Sequence, residues 1–177
     1  AQLLADTDVP VAPILAHDFA RDRVDRDFLV MPRLPGKPLN HAGLGPGAQQ
    51  RALREWGACV RKIHTVTDPA GRFGYLDGDG CMEPAASWSD AFRTMYRKLL
   101  DDIVGCRGYT AGEADEAMQL LDEHADVFDH GAAPTLCHGD LWVPNVLVDA
   151  AGGVTGILDF DRACWGDIEW DLAIAEY

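Results

Sequence analysis

Leu136-Cys137-His138-Gly139-Asp140-Leu141-Trp142-Val143-Pro144-Asn145-Val146-Leu147-Val148-Asp149 is followed, after the turn Ala151-Gly152-Gly153, by Gly156-Ile157-Leu158-Asp159-Phe160-Asp161. Short apolar runs at Thr135–Cys137, Val146–Val148 and Val154–Leu158, split by Gly-containing turns, predict short strands of a small sheet. Asp140 and Asn145 then lie five positions apart on a loop between strands, and Asp159 ends a strand fourteen positions after Asn145. Phosphoryl transfer needs such a set. One carboxylate orients the attacking hydroxyl and accepts its proton, and hard oxygen ligands hold Mg²⁺ against the phosphates. Asp140 fits the first role; Asn145 and Asp159 fit the second. An isolated Asp–Asn pair would be ordinary turn chemistry; three such groups on predicted strand ends form a constellation.

Downstream, Asp167 is placed to cap a last helix from Ile168 onward, with Glu169 and Asp171 in its first turn, where acidic groups suit the helix dipole. Upstream, Leu53, Trp56, Val60 and Ile63 recur at helical steps and predict an amphipathic helix over Gln49–Thr67, ended by Asp68-Pro69. Ser87-Trp88-Ser89-Asp90 and Thr110-Ala111-Gly112-Glu113 have capping-box spacing and predict helices over Trp88–Val104 and Ala111–Phe128. Gly71–Pro84 reads as a Gly- and Asp-rich loop. Near the start, Val9–Leu15 and Phe28–Met31 predict a β-hairpin around a charged turn, and the prolines from Pro32 to Pro38 make Arg33–Asn40 a stiff connector.

The segments His138-Gly139-Asp140, Asp159-Phe160-Asp161 and Gly166-Asp167-Ile168-Glu169-Trp170-Asp171-Leu172-Ala173 together resemble the aminoglycoside phosphotransferase, choline kinase and fructosamine kinase group. The likeness is most specific from Leu136 to Ala173. Phe28-Leu29-Val30-Met31-Pro32-Arg33-Leu34-Pro35-Gly36 is similar to that group's last small-lobe strand and interlobe hinge, and Phe73-Gly74-Tyr75-Leu76 resembles a further segment of these enzymes.

The resemblance implies an α+β, protein-kinase-like large lobe, mostly helical with a small β-sheet, preceded by a remnant of the small lobe. Residues 1–34 would be that remnant with the hinge, and 35–177 a C-terminally truncated catalytic lobe. It implies ATP or GTP with Mg²⁺ as cofactors, the purine edge meeting backbone at Met31, Pro32 and Arg33. Asp140 would be catalytic, Asn145 and Asp159 would bind metal, and His138 and Asp171 would support the loop, Asp171 by bracing it. The acceptor would be a small-molecule hydroxyl, with amine-bearing molecules a candidate class that acidic residues of the Gly71–Asp90 loop and the next two helices would grip. Departures from the pattern are Asp161 at the third place of Asp159-Phe160-Asp161, Val143-Pro144 where many relatives carry a small residue, and the lack of a Gly-rich phosphate loop and strand Lys ahead of the hinge. The chain is therefore expected to be a fragment trimmed at both ends.

With 15 Lys+Arg against 29 Asp+Glu the formal charge is −14, which disfavours nucleic-acid partners. A hydrophobic fraction of 47% supports a real core. No apolar run approaches the ~20 residues of a membrane span. Cys59, Cys81, Cys106, Cys137 and Cys164 show no CxxC spacing and read as reduced core thiols in a cytoplasmic protein. His17, His41, His64, His124 and His130 have no ligand-like partners at motif spacing, and Trp56, Trp88, Trp165 and Trp170 read as packing residues. Two other readings stand beside the kinase: a non-catalytic, pseudokinase-like or truncated binding domain, and a metal-dependent hydrolase built on Asp140, Asp159 and Asp161. Oligomeric state is not legible.

Overall fold

A computed structural model describes residues 2–77, 80–128 and 131–175; His130 and Asp79, read above as an ordinary histidine and part of the acidic loop, lie outside them. The chain is α+β, with four α-helices and small antiparallel sheets among the described residues. It divides into two compact units that exchange the chain several times: one comprises the residues up to Val66, Asp140–Asp161 and the chain from Leu172, the other Thr67–Gly139 and Arg162–Asp171.

In the first unit, β1 (Ala16–Asp18) pairs antiparallel with β2 (Phe28–Val30). The expected hairpin exists, but its first strand lies beyond Val9–Leu15, whose two prolines cannot donate to a ladder. The Arg33–Asn40 connector is also more structured than its prolines suggest. It contains β3 (Lys37–Pro38), an edge strand on which Pro38 is tolerated, followed by a 3-10 turn at Leu39–His41. β3 pairs with β6 (Val146–Val148), which pairs with β7 (Val154–Ile157).

Helix α1 (Pro46–Ile63) starts three residues before the expected Gln49, because Pro46 suits the first helical position, and ends at Ile63, four residues before Thr67. The β6–β7 turn docks on its first turns. The Glu55 carboxylate accepts the Val154 N–H at 2.9 Å and the Arg51 Nε–H at 2.8 Å. Gly152 has φ +81° and comes so close to the Ala48 carbonyl that a Cβ would collide with it, so glycine is required there.

In the second unit, α2 (Trp88–Gly105) and α3 (Ala111–Glu123) form at the expected places. Thr110 and Glu113 close a full capping box, whereas Ser87 caps Asp90 without the reciprocal backbone bond. The expected tail of α3 becomes a separate 3-10 turn, Ala125–Phe128. β5 (Thr135–Cys137) pairs with β8 (Cys164–Gly166), which pairs with β4 (Gly74–Tyr75) inside the stretch read as loop. The single small sheet of the sequence reading is thus replaced by two three-stranded sheets plus the hairpin.

The core of this unit is aromatic. Phe92 lies 4.8 Å from Phe128, 5.6 Å from Trp88 and 5.4 Å from Trp170, pairings that contribute about 0.5–1.5 kcal/mol each beyond area burial. Helix α4 (Ile168–Ala175) follows Asp167, whose Oδ1 accepts the Glu169 N–H at 3.0 Å. Four of the cysteines are buried thiols as expected; Cys106, at the end of α2, is exposed. No helix among the described residues is long and apolar enough to cross a membrane.

Candidate active site

After β5 the chain turns through His138-Gly139 into Asp140. His138 and Asp171 are fully buried, at 0% exposure. The Asp171 carboxylate accepts the His138 N–H at 2.9 Å through one oxygen and the Gly139 N–H at 2.8 Å through the other. A buried carboxylate is stabilised by such bonds, and in return it fixes the backbone of the two residues that precede Asp140. Gly139 has φ +79°, and a Cβ would collide with the Arg162 carbonyl, so any larger residue would push the turn open. The sequence signal for this was the glycine itself, read as part of a motif rather than as a close approach.

Past Asp140, a 3-10 turn (Val143–Asn145) delivers Asn145 to the head of β6. Asn145 is buried, and its Nδ2 donates to the Asp140 side chain at 2.8 Å and to the Asp140 carbonyl at 3.0 Å. Both partners are acceptors, which settles the amide's orientation: nitrogen toward Asp140, oxygen Oδ1 away from it. Asn145 thereby orients the half-buried Asp140 carboxylate and keeps a hard oxygen donor of its own.

The Leu158 N–H donates to the Asn145 carbonyl at 2.9 Å, extending the β6–β7 pairing by one step and setting Asp159 beside the Asn145 turn. Asp159 is exposed and has φ +69°, a left-handed conformation that Asp tolerates better than most residues and that ends β7 abruptly. An amide oxygen and a carboxylate held in this way are the hard donors that suit Mg²⁺, so the donor chemistry fits that ion.

The structure thus brings Asp140 and Asn145 together by direct bonds and Asp159 through the backbone. His138 and Asp171 join at the turn before Asp140. Met31, Pro32 and Arg33 follow β2 as exposed residues, and none of these links includes them. Several acidic side chains named above as grips for an amine are already engaged: Glu83 pairs with Lys98, Arg97 with Asp115 and Arg93 with Asp122. Sequence reasoning missed the strands β3, β4 and β8. It also missed a recess against the Val143–Asn145 turn, lined by Leu39, Leu44 and Leu53, whose residues are scattered along the chain.

Residues 1–176 match the model of the Phosphotransferase enzyme family. The chain belongs to that family. "Probable ketoamine kinase YniA" of Escherichia coli K12 is 31% identical over 161 residues, covering 85% of this chain and 50% of that protein. A "Probable ketoamine kinase" of Vibrio vulnificus is 29% identical over 181 residues, covering 99% of this chain and 57% of its own length. The chain therefore spans about half the length of the curated relatives it matches. Among solved structures, a thermostable mutant of aminoglycoside phosphotransferase APH(4)-Ia in ternary complex with ADP and hygromycin B superposes with a TM-score of 0.69 at 19% identity, covering 98% of this chain and 57% of that one. The fold is that of these kinase-like neighbours.

Proposed function

We propose that this chain is the catalytic part of a Mg²⁺-dependent kinase that moves the γ-phosphate of ATP or GTP to a hydroxyl of a small, amine-bearing molecule, a ketoamine being the favoured acceptor. In this reading β6, β7 and the helices belong to the large lobe of a kinase-like enzyme. The β1–β2 hairpin is the end of its small lobe, and Met31, Pro32 and Arg33 form the hinge that meets the purine. A cytoplasmic nucleotide pool supplies the donor.

The observation that carries the reading is the Asn145 side chain, which spends its nitrogen on Asp140 and turns its oxygen away from it, in a turn whose backbone carbonyl is bonded by Leu158, the residue before Asp159. Asn145 Oδ1 and the Asp159 carboxylate would hold Mg²⁺, which when bound neutralises charge on the phosphates. Asp140 receives the acceptor hydroxyl and takes its proton as the new oxygen–phosphorus bond forms. The bond from the γ-phosphorus to the bridging oxygen breaks, and the nucleoside diphosphate leaves. Asn145 fixes the direction of the Asp140 carboxylate through this step, and Asp171 keeps the preceding turn closed by holding the His138 and Gly139 amides. The ketoamine assignment is supported by the names of the curated relatives, and it satisfies the amine and hydroxyl requirements together.

The test is calorimetric titration of the protein that carries this chain with ATP, with and without Mg²⁺, alongside steady-state phosphorylation of a fructosyl amine. Mg²⁺-dependent binding that Asp159→Ala abolishes, with turnover lost in Asp140→Ala but binding kept, is the expected outcome. Unchanged binding in Asp159→Ala overturns it.

A further inference from the structure

The recess against the Val143–Asn145 turn has a volume of about 280 Å³ and is lined by Leu39, Asn40, Leu44, Gln49, Leu53 and Val143, with one glycine. That volume is near the lower limit of small-molecule pockets and suits one substituent better than a whole ligand. Two features set it apart. In a chain with 29 acidic residues, no charged side chain lines it. Leu53, on the apolar stripe of α1, is 48% exposed there, whereas Ile63 at the far end of the same stripe is fully buried. The stripe is left uncovered where Gln49 and Leu53, one helical turn apart, face the recess.

Its position separates it from the proposed purine site. β3 runs antiparallel to β6 with Lys37 opposite Val148 and Pro38 opposite Leu147, so the chain moves along β6 toward Asn145 as it leaves the hinge. Residues 31–36 therefore lie toward the Val148 end of the pair, and Leu39 and Asn40 toward the Asn145 end. The recess sits at the catalytic-loop end, with Val143 three residues from Asp140 in the same loop.

We propose that this recess is the acceptor subsite for an uncharged, apolar substituent on the acceptor's amine, with the Asn40 and Gln49 amides as its hydrogen-bonding groups. This rests on the kinase reading above and deepens it: the subsite selects against a cationic tail, since a charge placed on Leu39, Leu44 and Leu53 loses hydration without gaining a partner.

The protein that carries this chain is assayed with two ketoamines of the same hexose, one made from isobutylamine and one from 1,4-diaminobutane. The wild type is expected to prefer the isobutyl acceptor in kcat/KM by about tenfold, the order that one small apolar group gives in a hydrophobic pocket. Leu53→Asp should collapse or invert that ratio and Leu53→Lys should widen it, with the ATP KM unchanged in both. Leu53 is exposed, so neither change removes core, and Leu120→Asp on the exposed face of α3 serves as the control. A ratio that is the same in wild type and both Leu53 variants overturns the subsite, as does an ATP KM that moves while the ratio stays. If the wild type phosphorylates neither acceptor, the ketoamine kinase reading falls and takes the subsite with it.

Discussion

The β1–β2 hairpin and the stretch from β5 to β7 are built from similar materials and have opposite characters. Phe28, Leu29 and Val30 of β2 are all exposed, whereas Val146, Leu147 and Val148 of β6 are all buried. The carboxylates differ in the same way. Asp27 closes the hairpin through bonds of 2.7 Å to Arg21 on an open surface. Asp171 and Asp68 act from buried positions, the Asp171 carboxylate accepting the His138 and Gly139 amides and the Asp68 carboxylate accepting the Arg72 N–H and guanidinium. An apolar strand or a paired carboxylate thus has no fixed worth; what packs over it decides, and in this chain the cover lies over the stretch proposed to carry the chemistry.

The largest expected contrast is chemical. Asp159→Ala at the end of β7 should lower turnover roughly a thousandfold under the proposed function, in which Asp159 is a metal ligand and contributes several kcal/mol to the transition state. Asp27→Ala at the hairpin should leave turnover within about twofold. Steady-state rates of the two variants, side by side, check this. A comparable loss from Asp27→Ala would mean that the hairpin, too, takes part in the chemistry.

Next comes packing. Ile157 in β7 is almost fully buried, and Ile157→Ala should cost about 2–5 kcal/mol in urea unfolding through lost transfer energy and the cavity left behind. Asp171→Asn is a subtler change in the same region. It replaces one acceptor oxygen with an NH₂ that faces a backbone N–H, for about 1–3 kcal/mol. Its kcat should fall more than its ATP KM rises, since the turn before Asp140 loosens while the nucleotide ligands stay.

How much of this was legible beforehand follows the same division. The grouping of Asp140, Asn145 and Asp159 was readable because phosphoryl transfer, the proposed chemistry, restricts residue type and spacing at once, and the structure brings these three residues together. Helices α2 and α3 were readable because Ser87 and Thr110 are local signals. The strands β3, β4 and β8 were not. Two or three residues such as Lys37–Pro38 or Gly74–Tyr75 have no periodicity, and they become strands only because a distant partner offers a ladder. The pairing of Asn145 with Asp140 and the approach of Gly139 to Arg162 are likewise consequences of tertiary structure, visible in sequence only as residues with unspent capacity.

A pH titration separates the two kinds of carboxylate. The Arg72 guanidinium, bonded to Asp68 at 2.8 and 3.0 Å, holds the Asp68 pKa down at about 2, against an ordinary 3.8. The unfolded chain therefore takes up this proton first as the pH falls. The stabilisation is complete above about pH 4 and is lost between about 4 and 2, and it amounts to on the order of 1 kcal/mol once the solvent-facing Arg72 is allowed for. Urea midpoints measured from pH 5 to pH 2.5 should fall less steeply in Asp68→Asn than in the wild type. Arg21 also lowers the Asp27 pKa, but on an open surface, so Asp27→Asn should leave the wild-type slope unchanged.

The smallest expected effect is the sharpest test of the comparison. Leu29 has the size and shape of Leu147 and sits in a strand of the same length, yet it is 46% exposed where Leu147 is 8%. Leu147→Ala should cost about 2–4 kcal/mol, and Leu29→Ala no more than about 0.5. If Leu29→Ala in the protein that carries this chain costs as much as Leu147→Ala, then β2 is covered there by residues beyond this chain, and the hairpin belongs to a larger sheet. A near-zero cost in that protein would mean that β2 stays open to solvent there as well, as its exposure predicts.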